Sequence, residues 1–512
     1  MKGIFSYAPA WVWFLAMISG LHFFGIRVSE DNFYQIVLGR YIAVDGLPHE
    51  LPFTVHAAEH LHYMVQQWLF AVLDAEIFDH FSWAGLVIFG YVAAIALVFA
   101  VYRMLLLVSG GRHIAALPAA FAFGCLPIMR FSFTFCRPYY LSCLLMVLEV
   151  ILLERYRRRP SHAPFFLLPL LSVLQVNLHA AMWPMLLVLL LPYLTESLFL
   201  RVPFFARRFG SVRALPISRL ALLSALVFLA GFIGPYGFEA MSYGARSYGV
   251  YELRLYSEEM QSMAALCPSL LWLVLVPLAL DLFLTCRYGL PLSAALLALG
   301  TGFMAMLSVR SLLLFLLFAA MPLAYLSPRL PVFSLSERRR PLLRILLLSL
   351  PLLALCHLYP SFRYGWVSPL YVHTEQAVRD DARHSAESAG PVFIYYGGAN
   401  YFLLEGYDVY LFSSDESFTK RMNGKKEVIG EFLALERGKI SLQDFDERYR
   451  FSYYVVDTEW PLDAVLSRTP GFTCIYRLED DPDPLVKQEI RFSHNSLHVY
   501  RGPSGAPAGG EM

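Results

Sequence analysis

Two adjacent carboxylates, Glu30 and Asp31, stand directly beyond the first long apolar run, which ends near Ile26. At the mouth of a membrane-spanning helix, partial desolvation raises a carboxyl's proton affinity and suits it to general-base work. Taken alone, the same residues are also an ordinary solvated helix start. Ser29, Glu30 and Asp31 precede the helical run NFYQIVLGRYIAVDG, and such side chains favour a helix N-terminus. They open a polar stretch from Arg27 to Trp68 that closes with EHLHYMVQQW. His49, His56, His60 and His62 lie in it, and Glu59 falls between His56 and His60. No HExxH spacing accompanies them, so the residues assign no metal-ligand set.

Further polar groups sit where apolar runs end. Arg137 precedes Pro138 and Arg310 follows Val309, positions from which a guanidinium would grip a lipid phosphate with paired hydrogen bonds. Snorkelling to the headgroup region is the ordinary use of such an arginine. Asn177 and His179, in LQVNLHAAMW, suit helix capping or a hydrogen bond to an acceptor sugar. The stretch 235–265 carries Tyr236, Glu239, Glu258 and Glu259 among several tyrosines, which form either an interfacial aromatic belt or stacking surfaces for sugars.

The elements that must hold these residues are set by composition. Hydrophobic residues make up 57% of the chain and charged residues 16%, with mean hydropathy +0.52, which indicates a polytopic membrane protein. A net charge of +1 without a long basic tract excludes a nucleic-acid partner. Seven scattered cysteines suggest neither a disulfide nor a zinc framework. Candidate spans run at about 10–26, 84–108, 113–130, 138–153, 164–177, 180–199, 217–234, 266–285, 288–307, 309–326 and 341–358, about eleven crossings. The run Val65–His80 is interrupted by Asp74, Glu76 and Asp79, and reads as an amphipathic surface helix.

Orientation follows from the basic loops 154–162, 201–219 and 327–344, which eleven crossings put on one side, that of the N-terminus. The expectation is an integral membrane protein of bacterial plasma-membrane type, with a cytoplasmic N-terminus and the 27–83 loop outside. Residues 1–358 form the membrane domain, 359–500 an extracytoplasmic α/β domain, and 501–512 a disordered tail. Strands are expected at 392–396, 409–412, 453–456, 474–476 and 497–500, with helices near 425–437 and 461–468. Gly397-Gly398 follows a strand without a GxGxxG pattern, so no dinucleotide is implied.

The order of these signals resembles the GT-C class of integral-membrane glycosyltransferases that use polyprenyl-phosphate sugars. The likeness is carried by SEDNFYQIVLGRYIAVDG, the later PFT and QQWLF, Arg137-Pro138, Asn177-Leu178-His179, Gly234-Pro235-Tyr236-Gly237, Glu259-Met260, Arg310 and the outer C-terminal domain. It implies transfer of a sugar from a polyprenyl phosphate to a hydroxyl of a glycan, lipid or protein acceptor among membrane lipids. In that scheme Asp31 is the general base, with Glu30 as substitute. Arg310, and next Arg137, neutralise the departing phosphate, while Asn177, His179, Tyr236, Glu259 and Gln67 position substrate. No cofactor is assigned, and a divalent metal stays optional. The chain departs from the pattern where Gln67 precedes Trp68 in place of Glu and Met260 follows Glu259 in place of Trp. Those departures keep a noncatalytic assembly or binding protein open, beside a lipid or solute transporter.

Overall fold

The computed structural model describes residue 28 and residues 30–112, 137–210, 212–247, 260–329, 367–384, 390–394, 396–493 and 496–503. The chain forms two compact units, Met1–Gly25 with Val87–Ser361, and Ile26–Leu86 with Phe362–Met512. The 27–83 loop, grouped by the sequence with the membrane domain, thus packs with C-terminal residues. Helices α1 (Glu30–Asp45) and α2 (Trp68–Val108) come first. Within α2, Ser82 is non-helical (φ 54°, ψ −158°) and divides the acid-bearing part expected as a surface helix from the apolar run expected as a span.

Helices α3 (Pro138–Arg158), α4 (Ala163–Leu178), α5 (Pro184–Phe199), α6 (Ile217–Ala230), α7 (Gly237–Ser247), α8 (Trp272–Tyr288), α9 (Leu292–Leu307), α10 (Leu312–Phe318) and α11 (Met321–Leu326) build the helical unit. Prolines begin α3, α4 and α5, where a missing N–H costs no helical bond. Pro169, Pro192 and Pro277 lie inside α4, α5 and α8, a placement that membrane helices tolerate. Among the described residues, Trp68–Val108, Ala180–Phe199, Pro268–Tyr288 and Val309–Arg329 are long and apolar enough to cross a membrane. Phe166, Leu170, Val276, Phe283 and Phe303 remain exposed, a cost in water but none against hydrocarbon. Helices occupy the expected spans 84–108 and 138–153 through 309–326, whereas 10–26, 113–130 and 341–358 lie outside the described residues. The count of eleven remains an expectation.

The antiparallel helices give this unit two ends of different charge. At one end, Arg155, Arg157 and Arg158 close α3, Arg208 donates to the Cys286 carbonyl, Arg112 donates to the Ser327 carbonyl, and Arg329 donates to the Tyr288 carbonyl. The opposite end holds Arg137, the α4–α5 turn, α7 and residues 308–311, where the Val309 N–H donates to the Gln261 carbonyl at 2.9 Å.

In the other unit, β1 (Val392–Ile394), β2 (Tyr453–Asp457), β3 (Thr473–Arg477) and β4 (Leu497–Arg501) make one sheet in the order β1-β2-β4-β3. β1 runs parallel to β2, and the other pairs are antiparallel. Central β2 is buried throughout, as expected of a strand covered on both faces. Helix α12 (Pro369–His384) buries Leu370, Thr374, Val378 and Ala382, a four-residue repeat along one face. Helix α13 (Tyr396–Leu404) contains the Gly397-Gly398 pair, and α14 (Val428–Glu436) and Pro461–Leu466 lie within the expected helical stretches.

The expected strand 409–412 does not form. Val409 makes isolated parallel bridges to Val392 and Thr54, and the chain bends at Tyr410, so pairing lasts one residue. Through that bridge the first loop is tied to the edge of the C-terminal sheet. Helix α13 packs along α1, and α1 meets the start of α2 so closely that a Cβ at Gly39 would collide with the Ala71 carbonyl.

Candidate active site

Glu30 and Asp31 occupy the first turn of α1, both partly exposed, where the helix dipole favours negative charge. Their neighbours are firmly held. The Tyr371 hydroxyl donates to Glu30 Oε1, Asn32 Nδ2 donates to Asp74 Oδ2 at 2.5 Å, and Gln67 Nε2 donates to the Tyr34 hydroxyl. The Phe33 ring meets Trp83, Tyr371 and Tyr401 edge-on with centroids 5.8, 6.3 and 5.3 Å away. Gln67, the residue in place of an expected acid, is buried and serves to anchor α1. Gln35, one turn after Asp31, is fully buried with neither amide atom hydrogen-bonded.

Arg137, Asn177, His179, Tyr236 and Arg310 belong to the helical unit and gather at its less basic end. Arg137 is the extended residue before α3. One turn into that helix, Ser142 Oγ lies 3.0 Å from His179 Nδ1 and accepts a 2.9 Å bond from Gln175 Nε2. The Tyr139 hydroxyl donates to the Arg310 carbonyl at 3.0 Å, and the Arg310 guanidinium carbon lies 5.3 Å from the centre of the Tyr139 ring. His179 meets the same ring edge-on at 6.4 Å, so Tyr139 brings Arg310 and His179 together. Asn177 donates to the Val173 and Ile233 carbonyls, both at 2.8 Å, which ties the end of α4 to the turn before Tyr236. That is the helix-end role open to it from sequence. Glu258 and Glu259 lie outside the described residues.

Of the first loop's histidines, His56 serves its junction with the C-terminal residues. His56 is buried, with Nδ1 3.1 Å from Glu59 Oε1 and 3.3 Å from Lys426 Nζ. Burial, and then the Lys426 charge, pull its pKa below the usual histidine range. Burial would raise Glu59, but hydrogen bonds from Lys426 and His56 hold it below the ordinary carboxylate value. Lys426 also donates to the Tyr449 hydroxyl at 2.6 Å, and the Tyr410 and Tyr449 hydroxyls both donate to Glu431 at 2.7 Å. His60 pairs instead with Glu50, at 2.6 Å. Among the described residues, no three or more His, Cys, Asp or Glu side chains converge as a metal site.

Sequence reading missed the acids inside the helices. Glu154 lies 2.7 Å from Arg158 and 3.5 Å from Arg157 and accepts from the Tyr193 and Tyr325 hydroxyls, while Glu196 pairs with Arg157. Glu149 on α3 is buried with neither carboxyl oxygen hydrogen-bonded, and Asp281 on α8 is buried with Oδ2 likewise unbonded. A lone acid within an apolar run was the available signal.

No family model matches the sequence, and no curated protein is similar to it at a significant level. The solved structures similar to this chain include oligosaccharyltransferases of Archaeoglobus fulgidus. AglB in complex with an inhibitory peptide and a dolichol-phosphate is 11% identical at a TM-score of 0.57, covering 88% of this chain and 69% of its own. The enzyme tethered to an acceptor peptide containing the NVT sequon is 12% identical at 0.55, covering 89% and 69%. The complex with Zn and sulfate is 14% identical at 0.50, covering 87% and 68%. At such identities the likeness is one of fold alone.

Proposed function

We propose that this protein is a membrane glycosyltransferase that moves a sugar from a polyprenyl-phosphate donor to an acceptor hydroxyl at the outer membrane face. The observation that carries the reading is the fold likeness over nearly nine-tenths of the chain to oligosaccharyltransferases, one of them bound to a dolichol-phosphate. Asp31, at the start of α1, takes the acceptor proton as the oxygen attacks the anomeric carbon and the polyprenyl phosphate leaves. Arg310, supported by the Tyr139 ring, neutralises the phosphate, with Arg137 as the second cation. His179 and Tyr236 orient substrate. Glycan, lipid and peptide acceptors fit this chemistry alike, and a divalent metal remains an optional partner of the phosphate.

The experiment is transfer of labelled sugar from a panel of polyprenyl-phosphate donors in membranes holding equal amounts of wild type or Asp31→Asn. Transfer by wild type alone supports the reading. Equal turnover by the variant removes Asp31 from its role. Buried, unbonded Glu149 and Asp281 favour a second reading, transport coupled to a proton or cation, because intramembrane carboxyls commonly serve such pathways. Solute uptake lost in Glu149→Gln, with sugar transfer absent from wild type, would favour it.

A further inference from the structure

We infer that Tyr371, contributed by the C-terminal residues, is a positioning residue for Asp31. This rests on Asp31 being the general base. The first four N–H groups of a helix have no partner within it, so the opening turn is weakly held by its own backbone. Glu30 and Asp31 lie in that turn. Side-chain contacts brace it on both sides of Asp31: Tyr371 on Glu30, and Asp74 on Asn32.

Tyr371 is itself braced. Its ring lies 6.1 Å from that of Tyr401 at an interplanar angle of 26°, and it meets Phe33 edge-on. Tyr401 touches Phe33 as well, at 5.3 Å. The hydroxyl is therefore presented to Glu30 by a three-ring cluster built from α1, α12 and α13. Loss of that one hydrogen bond leaves the rings packed and loosens Glu30, the residue beside the base. A shift of about 1 Å in a reacting group costs on the order of 100-fold in rate.

Two measurements test this. The first is independent of activity: hydrogen exchange at the amides of residues 34–37, whose intrahelical acceptors are the carbonyls of residues 30–33. In Tyr371→Phe, exchange there rises about tenfold while the rest of α1 is unchanged. Unchanged exchange overturns the inference whatever the enzyme does.

The second is steady-state consumption of the labelled polyprenyl-phosphate sugar that wild type uses. Tyr371→Phe lowers kcat about 10- to 100-fold with KM for the donor unchanged. Glu30→Ala loses at least as much, and the double variant no more than Glu30→Ala, because the bond to Tyr371 is already gone. Glu30→Gln, whose amide oxygen still accepts from the phenol, restores most of the rate. Wild-type kcat in Tyr371→Phe, or losses that multiply in the double variant, overturns the inference while Asp31 stands. If Asp31→Asn turns over like wild type, the general-base reading fails, and the exchange result still reports whether Tyr371 holds the turn.

Discussion

Each unit contains a knot of two glutamates, two basic side chains and two tyrosines. In the helical unit these are Glu154, Glu196, Arg157, Arg158, Tyr193 and Tyr325. In the other they are Glu59, Glu431, Lys426, Arg448, Tyr410 and Tyr449, with His56 against them. What separates the two is water. The side chains of Arg157, Glu154 and Glu196 are at most 2% exposed, whereas Lys426 and Glu59 are 22% and 39% exposed. Buried charges are expensive to strip of a partner and serve to fix how helices meet. Half-exposed pairs are screened, contribute little individually, and yield to pH.

The largest break in that comparison is Arg157→Ala, which strands Glu196 in the bundle and destabilises the protein by about 3–5 kcal/mol. Thermal unfolding in detergent and accumulation in membranes both read this. Replacing Arg157 and Glu196 together by Met restores stability to near that of wild type, because no unpaired charge remains. A smaller effect belongs to pH at the other knot. The folded-state pKa of His56 lies below 6.5, so the native state binds fewer protons than the unfolded chain just below that pH. The stability it supports is present above 6.5 and is lost as pH falls from there. Glu59 and Glu431 are held below 4.5, so their contribution persists until the pH nears that value. Hydrogen-exchange protection across residues 51–64, taken relative to the intrinsic rate at each pH, should therefore fall between pH 6.5 and 4.5, and a His56→Phe variant should flatten that response. Smallest of all is Arg448→Ala, whose side chain is 61% exposed; it changes the melting free energy by less than about 1 kcal/mol.

The apolar helices of the first unit were legible because apolar length is a one-dimensional signal, and α1 because acidic residues precede a long run without proline or a helix-breaking pair. The C-terminal strands were readable from short apolar runs, except 409–412, where chain reversal limits pairing to Val409. Glu154 was not readable, since nothing local shows that α3 turns it toward Tyr193 and Tyr325. Tyr371 was illegible for a stronger reason: its partner Glu30 is more than three hundred residues earlier, and single-sequence patterns carry no pairing at that range. The same holds for the Thr54 to Val409 bridge, which made the first loop read as an appendage of the membrane part.

That bridge also sets an order of events during synthesis. The ribosome makes α1 and the first loop early, but Val409, Tyr371 and Lys426 emerge only after every helix from Val87 to Ser361. At about 5–20 residues per second, the wait is long compared with the closing of a helix or a short loop. Throughout that interval Phe33 has no Tyr401 to meet and His56 no Lys426, so the nascent loop exposes that face until those residues are made. A nascent chain released before α12 would carry helices α3 to α11 and an unfinished first loop, making that loop the natural point of attack for a quality-control protease.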